Sequence, residues 1–210
     1  MSINNDYEAV SKMDKQERFR LFPIRLSKHK EVWKRRFLNE RTLIIKALGA
    51  SQIKSINHIG STAISDIMAK PIIDILLEIR RDMDIKELIR NMEIIGYGAC
   101  PRPDMPDPQL SFLKGYTLKG YKGQPFHVHI RYEMEKRRSD FDEIFFKDYL
   151  NEHPDTAKEY ETLKIELAKE YEYDRDAYTL AKTEFITRVT RAARREMALT
   201  AKDNENTETS

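Results

Sequence analysis

Residues 71–79, PIIDILLEI, constrain the fold of this chain more than any other stretch. A proline followed by aliphatic residues at six of eight positions reads as a strand that opens at Pro71 and lies inside a sheet. Two acids interrupt it. Side chains two apart share a strand face, so Ile73, Ile75, Leu77 and Ile79 point one way and Asp74, Leu76 and Glu78 the other. The aliphatic set faces the core, which leaves the acids facing whatever covers the opposite side. A buried carboxylate without a partner costs several kcal/mol, so Asp74 must accept hydrogen bonds, pair with a base such as Lys70 or an arginine, or hold a cation.

Just upstream, SINHI (residues 55–59) reads as a short strand, and GSTAISDIMAK (60–70) as a turn leading into a helical segment. The order is therefore strand, Gly-Ser turn, helix, strand. Backbone N–H groups at such a turn can approach a phosphate, although Gly60 and Ser61 also suit any tight turn. Before this unit, Ser27 is placed to cap a helix whose Trp33, Phe37, Ile44 and Leu48 form one stripe and which ends at Gly49. After it, Ile85, Leu88, Ile89 and Met92 recur at helical spacing, and four prolines within residues 101–110 require a loop. Residues 111–132 read as two strands in which Phe126, Val128 and Ile130 alternate with His127, His129 and Arg131. The last third is helical, with apolar stripes through Ala157, Tyr160, Leu163 and Leu167 and through Tyr178, Ala181, Phe185 and Val189.

The 210 residues, 40% hydrophobic and 34% charged, suffice for one core and a well-solvated surface, so a single domain is expected over residues 16–198. Residues 1–15 and 199–210 are polar and are expected to be flexible. A formal charge of +2 gives no indication of nucleic acid. Cys100 is the single cysteine, which rules out an intramolecular disulfide and fits a reducing compartment. With no apolar leader and no run long enough for a membrane span, a cytoplasmic location is the expectation. The amphipathic C-terminal helices offer faces suited to pairing of two copies.

His127 and His129 share a strand face, and two imidazoles at that spacing with a carboxylate across the sheet can hold a divalent cation, bind a phosphate, or act as acid and base. Ordinary surface histidines are the competing interpretation. Lys70, Lys114, Arg131 and Lys182 each stand beside one of these motifs and are the cations to test against an anionic ligand. Ser61 and Cys100 lack the neighbouring base that a nucleophile needs. His58 reads as structural.

Four segments, HIGST…KPIIDI, FHVHI, FKDYLNEHPDTAKEYETLK and YTLAKTEFI, in that order across residues 21–194, resemble the signature of the GrpB family. The resemblance implies a nucleotidyltransferase-like α/β (α+β) fold: a mixed sheet flanked by helices, here with a helical C-terminal third. It also implies a Gly-Ser turn followed by a strand bearing two carboxylates, which bind two magnesium ions for transfer of a nucleotidyl group from a nucleoside triphosphate to an acceptor. Carried over, Gly60, Ser61 and Thr62 take the turn and, with Lys70, Lys114, Arg131 and Lys182, hold the nucleotide phosphates. Asp74 takes the first carboxylate, and Asp74, His127 and His129 become the catalytic group. Leu76 stands where the second carboxylate belongs, and Glu78 lies about 6.6 Å further along the same face. The implied metal set is therefore Asp74, Glu78, His127 and His129 around Mg2+ or Mn2+, with His127 or His129 in place of the third acid. Residues 64–67, ISDI, replace the family's usual VPGL. The acceptor, a small molecule or a protein, stays unnamed. A catalytically inactive nucleotide- or phosphate-binding module and a metal-dependent phosphate hydrolase are the alternatives.

Overall fold

The computed structural model describes residues 6–133 and 141–208. Strands β1 (Ile53–Ile59), β2 (Ile73–Ile79), β3 (Gly98–Pro101), β4 (Leu110–Thr117) and β5 (Gly120–Tyr132) form one sheet in the order β1-β2-β5-β4-β3. The central pair β2 and β5 is parallel, and the other neighbours are antiparallel. The expected mixed sheet is thus present, and its register puts Asp74 opposite His127 and Leu76 opposite His129.

The two faces of β2 separate as the alternation requires. Ile73, Ile75, Leu77 and Ile79 join Val128 and Ile130 in the main core, beneath α3 (Val32–Leu48) and α4 (Ile85–Ile94). Removing each of these side chains from water contributes about 1.5–3 kcal/mol, which makes β2 the anchor of the fold. Helix α3 buries Trp33, Phe37, Ile44 and Leu48, the stripe read from its sequence, and Gly49 ends it with a backbone φ of +82°. It begins at Val32 rather than at Ser27, because Ser27 instead pairs its backbone with Ala69.

On the opposite face, α5 (Asp142–Glu152) covers Leu76 and Ile59 with Phe141 and Ile144. Helices α6 (Pro154–Glu170) and α8 (Thr183–Glu208) pack against Ile64 and Ile67 through Tyr160 and Val189, beside Phe146 of α5. Residues 60–70 hold no α-helix; only a 3-10 turn at Ser61–Ala63 forms. The backbone beyond it is committed elsewhere, with Met68 N–H donating to Glu161 Oε1 at 2.6 Å and Met68 C=O accepting from the Lys164 ammonium.

Two further elements differ from the sequence expectation. Helices α1 (Asp6–Ser11) and α2 (Lys15–Leu21) occupy much of the stretch expected to be flexible, and Val10 and Phe22 are buried against Tyr116. Residues 1–5 and 209–210 lie outside the described residues, while the α8 backbone continues through most of the expected tail. The helix expected across residues 176–197 breaks at Lys182, giving α7 (Arg175–Ala181) before α8. The two pieces are held by different clusters, Tyr178 with Ile24 and Leu167, Val189 with Phe146 and Tyr160.

Candidate metal and anion site

The open part of the second sheet face lies beside Asp74, where α5 does not reach. Asp74 Oδ1 stands 3.3 Å from His127 Nδ1 and 3.6 Å from His129 Nε2. All three candidate ligand atoms fall within 4.8 Å of one another. Ligand atoms at the corners of a tetrahedron with bonds of about 2.0–2.2 Å lie about 3.3–3.6 Å apart, the range of the two Asp74–histidine spacings.

Electrostatics leave the cluster ready for that role. Burial pushes the Asp74 carboxyl up, but hydrogen bonds and charge from His127 and His129 outweigh it and hold the group well below the ordinary carboxylate range. Burial pushes His127 down to about 4, more than its contacts with Asp74 raise it. At neutral pH the group is therefore a carboxylate beside a neutral imidazole, the protonation state that metal ligands require. His127 Nε2 meets the Tyr116 hydroxyl at 2.5 Å, an outer partner that orients the ring.

Gly60 makes the arrangement possible. Its φ of +70° and ψ of −174° suit glycine alone, and a Cβ there would lie 2.6 Å from Asp74 Oδ2. The Gly-Ser turn is thus packed directly against the carboxylate, one strand over from Asp74 through the Ile59–Asp74 pair.

From this floor a cleft of about 800 Å³ opens between the sheet and α7. Of the residues read from sequence, Ser61, Lys70, Asp74, His127, His129 and Lys182 line it. Lys70 and Lys182 approach the Tyr178 ring at 5.9 and 4.4 Å, and neither forms an ion pair among the described residues. Burial, helped by the charges of Arg175 and Lys182, lowers Lys70 well below its ordinary value. Lys182 is pushed down to about 8, again by burial first.

Four sequence candidates lie elsewhere. Thr62 is buried, its hydroxyl donating to Ile72 C=O at 3.2 Å and meeting His58 Nε2 at 3.0 Å. His58 stacks on Phe37 and is structural, burial pushing it down to about 4. Glu78 shares the face of Asp74 but is 2% exposed and accepts from Ser55 Oγ at 2.9 Å, with Leu76 and the cover of α5 between it and the cleft. Arg131, also on that face, is tied to Glu143 of α5 at 3.0 Å. Lys114 projects from the other side of the sheet, onto Glu40 of α3 at 2.7 Å and over Tyr97. Lys114 keeps the alternation of Leu110 and Phe112 on the core face, and a β4 irregularity after it turns Tyr116 to the side of His127.

Arg175, Tyr178 and Tyr116 were missed. Arg175 donates to the Tyr116 hydroxyl at 3.4 Å and lies over its ring, and no carboxylate pairs with it among the described residues. A sequence signal existed: positions 175, 178 and 182 follow the i, i+3, i+7 spacing of one helix face, a cationic and aromatic stripe beside the apolar one.

A five-stranded mixed sheet with a Gly-Ser turn against an acidic strand, flanked by helices on both faces, defines an α/β protein of the nucleotidyltransferase-like class. The family model described as GrpB protein matches residues 23–192. The chain belongs to the GrpB family. It is 36% identical to the glutamate-rich protein GrpB of Alkalihalophilus pseudofirmus over 163 residues, covering 77% of this chain and 90% of that one. It is also 36% identical to a UPF0157 protein of Pseudomonas aeruginosa, covering 75% of this chain and 62% of the relative. The match to YqkA of Bacillus subtilis, 31% identical, spans 84% of this chain and half of that protein's length. Among solved structures, the conserved protein GrpB from Enterococcus faecalis superimposes with a TM-score of 0.70 at 25% identity, over 82% of this chain and 99% of that one. No helix among the described residues is long and apolar enough to cross a membrane.

Proposed function

We propose that this protein binds a nucleoside triphosphate in the α7 cleft through one divalent metal and transfers its nucleotidyl group to an acceptor. The observation that carries the reading is the convergence of Asp74, His127 and His129 within 4.8 Å beneath three cations, Lys70, Arg175 and Lys182, that have no carboxylate partner among the described residues. One metal is expected rather than two. The position of a second carboxylate is Leu76, fully buried against Ile59, Phe141 and Ile144, so among the described residues the metal-ligating group around Asp74 has this one carboxylate.

Two imidazoles and one carboxylate suit a borderline cation such as Mn2+ better than Mg2+, which prefers an all-oxygen shell. Bound there, the metal supplies Lewis-acid polarisation of a phosphoryl oxygen. The chain's own groups do the rest. Lys70, Arg175 and Lys182 neutralise the phosphate tail, and the Gly60–Ser61 backbone brings N–H groups beside Asp74. Tyr116 fixes the His127 ring, so that Nδ1 is held toward the shared site. The buried Leu76 also favours a second reading, a module that binds the nucleotide without transferring it.

The test is calorimetric titration of the metal-free protein with Mn2+, Zn2+ and Mg2+, then with ATP or GTP, followed by product analysis. Asp74→Asn is expected to weaken Mn2+ binding at least about 10-fold, the lower range for losing a charge-assisted contact. Unchanged affinity in that variant overturns the metal assignment. Nucleotidyl adducts with pyrophosphate release support transfer, free phosphate indicates hydrolysis, and binding without turnover indicates the module.

A further inference from the structure

Beside the His127–His129 pair, between the start of α7 and helices α1 and α2, a second chamber opens. It measures about 250 Å³ and lies beneath α1 and α2, sharing Arg102, His127, His129, Arg175 and Asp176 with the cleft. Its body is apolar, walled by Val10, Phe19, Phe22, Leu113 and Tyr116. A dry cavity of about 150 Å³ accepts a benzene ring, so this one has room for a ring and a short polar arm.

At the inner end two polar atoms are buried without partners, Ser111 Oγ and His129 Nδ1. Ser111 is 3% exposed and sits directly opposite His129 in the β4–β5 ladder, so both side chains emerge on the same face. Orphaned buried polar groups carry a free-energy cost that a bound ligand removes. The charged groups around the chamber do not cancel. Arg102 is neutralised by Asp104 at 2.7 Å, and Asp176 by Lys15 at 2.7 Å. Arg18 and Arg175 line the chamber with no ion pair among the described residues.

We infer that this chamber is a second binding site, for a small monocarboxylic acid with an aromatic or branched apolar body. The body fills the space under α1 and α2, while the carboxylate accepts hydrogen bonds from the Ser111 hydroxyl and lies in the field of Arg18 and Arg175. A phosphate dianion suits the chamber less well, because it would leave the apolar part between Val10, Phe19, Phe22 and Leu113 unfilled. The inference rests on the chamber alone and stands whether or not the neighbouring cleft transfers a nucleotidyl group. Gly98 is part of the design: a Cβ there would lie 2.3 Å from Tyr7 Cδ1, so only glycine lets α1 close the chamber.

Phenylacetate, 2-phenylethanol and inorganic phosphate are titrated into the full-length metal-free chain, with calorimetry and amide chemical shifts as readouts. Phenylacetate is expected to bind and to shift Ser111, His129 and Val10, with 2-phenylethanol at least about 10-fold weaker for want of the charge. Ser111→Ala and Arg18→Gln should each weaken phenylacetate about 10-fold. Arg18 is half-buried on a short helix, so its variant keeps the core intact. Gly98→Ala should abolish binding while leaving the sheet's circular dichroism unchanged. The inference is overturned if phenylacetate leaves the chamber resonances unmoved, if the alcohol or phosphate binds as tightly, or if neither Ser111→Ala nor Arg18→Gln alters its affinity.

Discussion

Gly60→Ala is the sharpest perturbation of this site. The residue occupies a backbone region open almost only to glycine, at a strain cost of about 1–3 kcal/mol for any other side chain. The new methyl would also meet Asp74 Oδ2 at 2.6 Å, with Asp74 Cβ and Cγ both at 3.2 Å. Because all three atoms are close, rotating the carboxyl end alone does not relieve the contact, and the side chain must swing away from His127 and His129. Adding the loss of one charge-assisted hydrogen bond, about 1.5–3 kcal/mol, gives a total of about 2.5–6 kcal/mol. For a chain of this size each kcal/mol lowers Tm by about 2–4 °C, so a fall of about 5–24 °C is expected. Gly49→Ala is the control, since Gly49 also has positive φ but nothing lies within 4 Å of its Cβ. Calorimetric melting and imidazole nitrogen spectra of the two histidines distinguish the cases: both variants melt lower, and Gly60→Ala alone moves the His127 and His129 signals. If Gly60→Ala melts within about 2 °C of the parent with unchanged imidazole signals, the packing of the turn against Asp74 is not what shapes the site.

The cleft lysines make anion binding depend on pH. Lys182 titrates near 8 and an anion favours its charged form, so pyrophosphate affinity should fall as pH rises through about 8, accompanied by proton uptake on binding above that pH. Calorimetry in buffers of different ionisation enthalpy measures that uptake, and a flat profile from pH 7 to 9 refutes it. Stability should move in the opposite direction. Burial, then the charge of Lys182, pushes Lys164 down to about 7 from its ordinary 10.5, so between those values the unfolded chain binds more protons and folding gains as pH rises. Urea titrations at pH 7 and 9.5 should show that gain, and Lys164→Met should flatten it while costing about 1–3 kcal/mol through the lost bond to Met68. Arg131→Met and Lys114→Met should destabilise the fold, since each breaks a partly buried ion pair, yet leave pyrophosphate affinity in the cleft unchanged. A loss of pyrophosphate affinity in either variant would contradict their placement outside the cleft.

Period-2 alternation in residues 73–79 and 126–131 was enough to determine that Asp74, His127 and His129 emerge on the side of the sheet away from Ile73, Ile75 and Val128, because strand geometry fixes that facing locally. Helix α3 and its buried stripe were legible for the same reason, and the spaced segments were enough to indicate the family. What alternation does not encode is distance along a face or the identity of its cover. Glu78 and Arg131 share the face of the site, yet α5, distant in sequence, seals that end with Phe141 and Ile144. Lys114 was misjudged because it follows Leu110 and Phe112 onto the core face, while the irregularity beyond it turns Tyr116 to the site instead. Lys182 was named from sequence, but the break that separates α7 from α8 and the arrival of Arg175 and Tyr178 beside it depend on which clusters capture the two helices. The N-terminal helices over the second chamber were hidden too, since their few apolar residues acquire value only against Tyr116 and the close approach at Gly98. Local chemistry thus determined which side chains face together, and only the packing of remote elements decided which of them share a cavity.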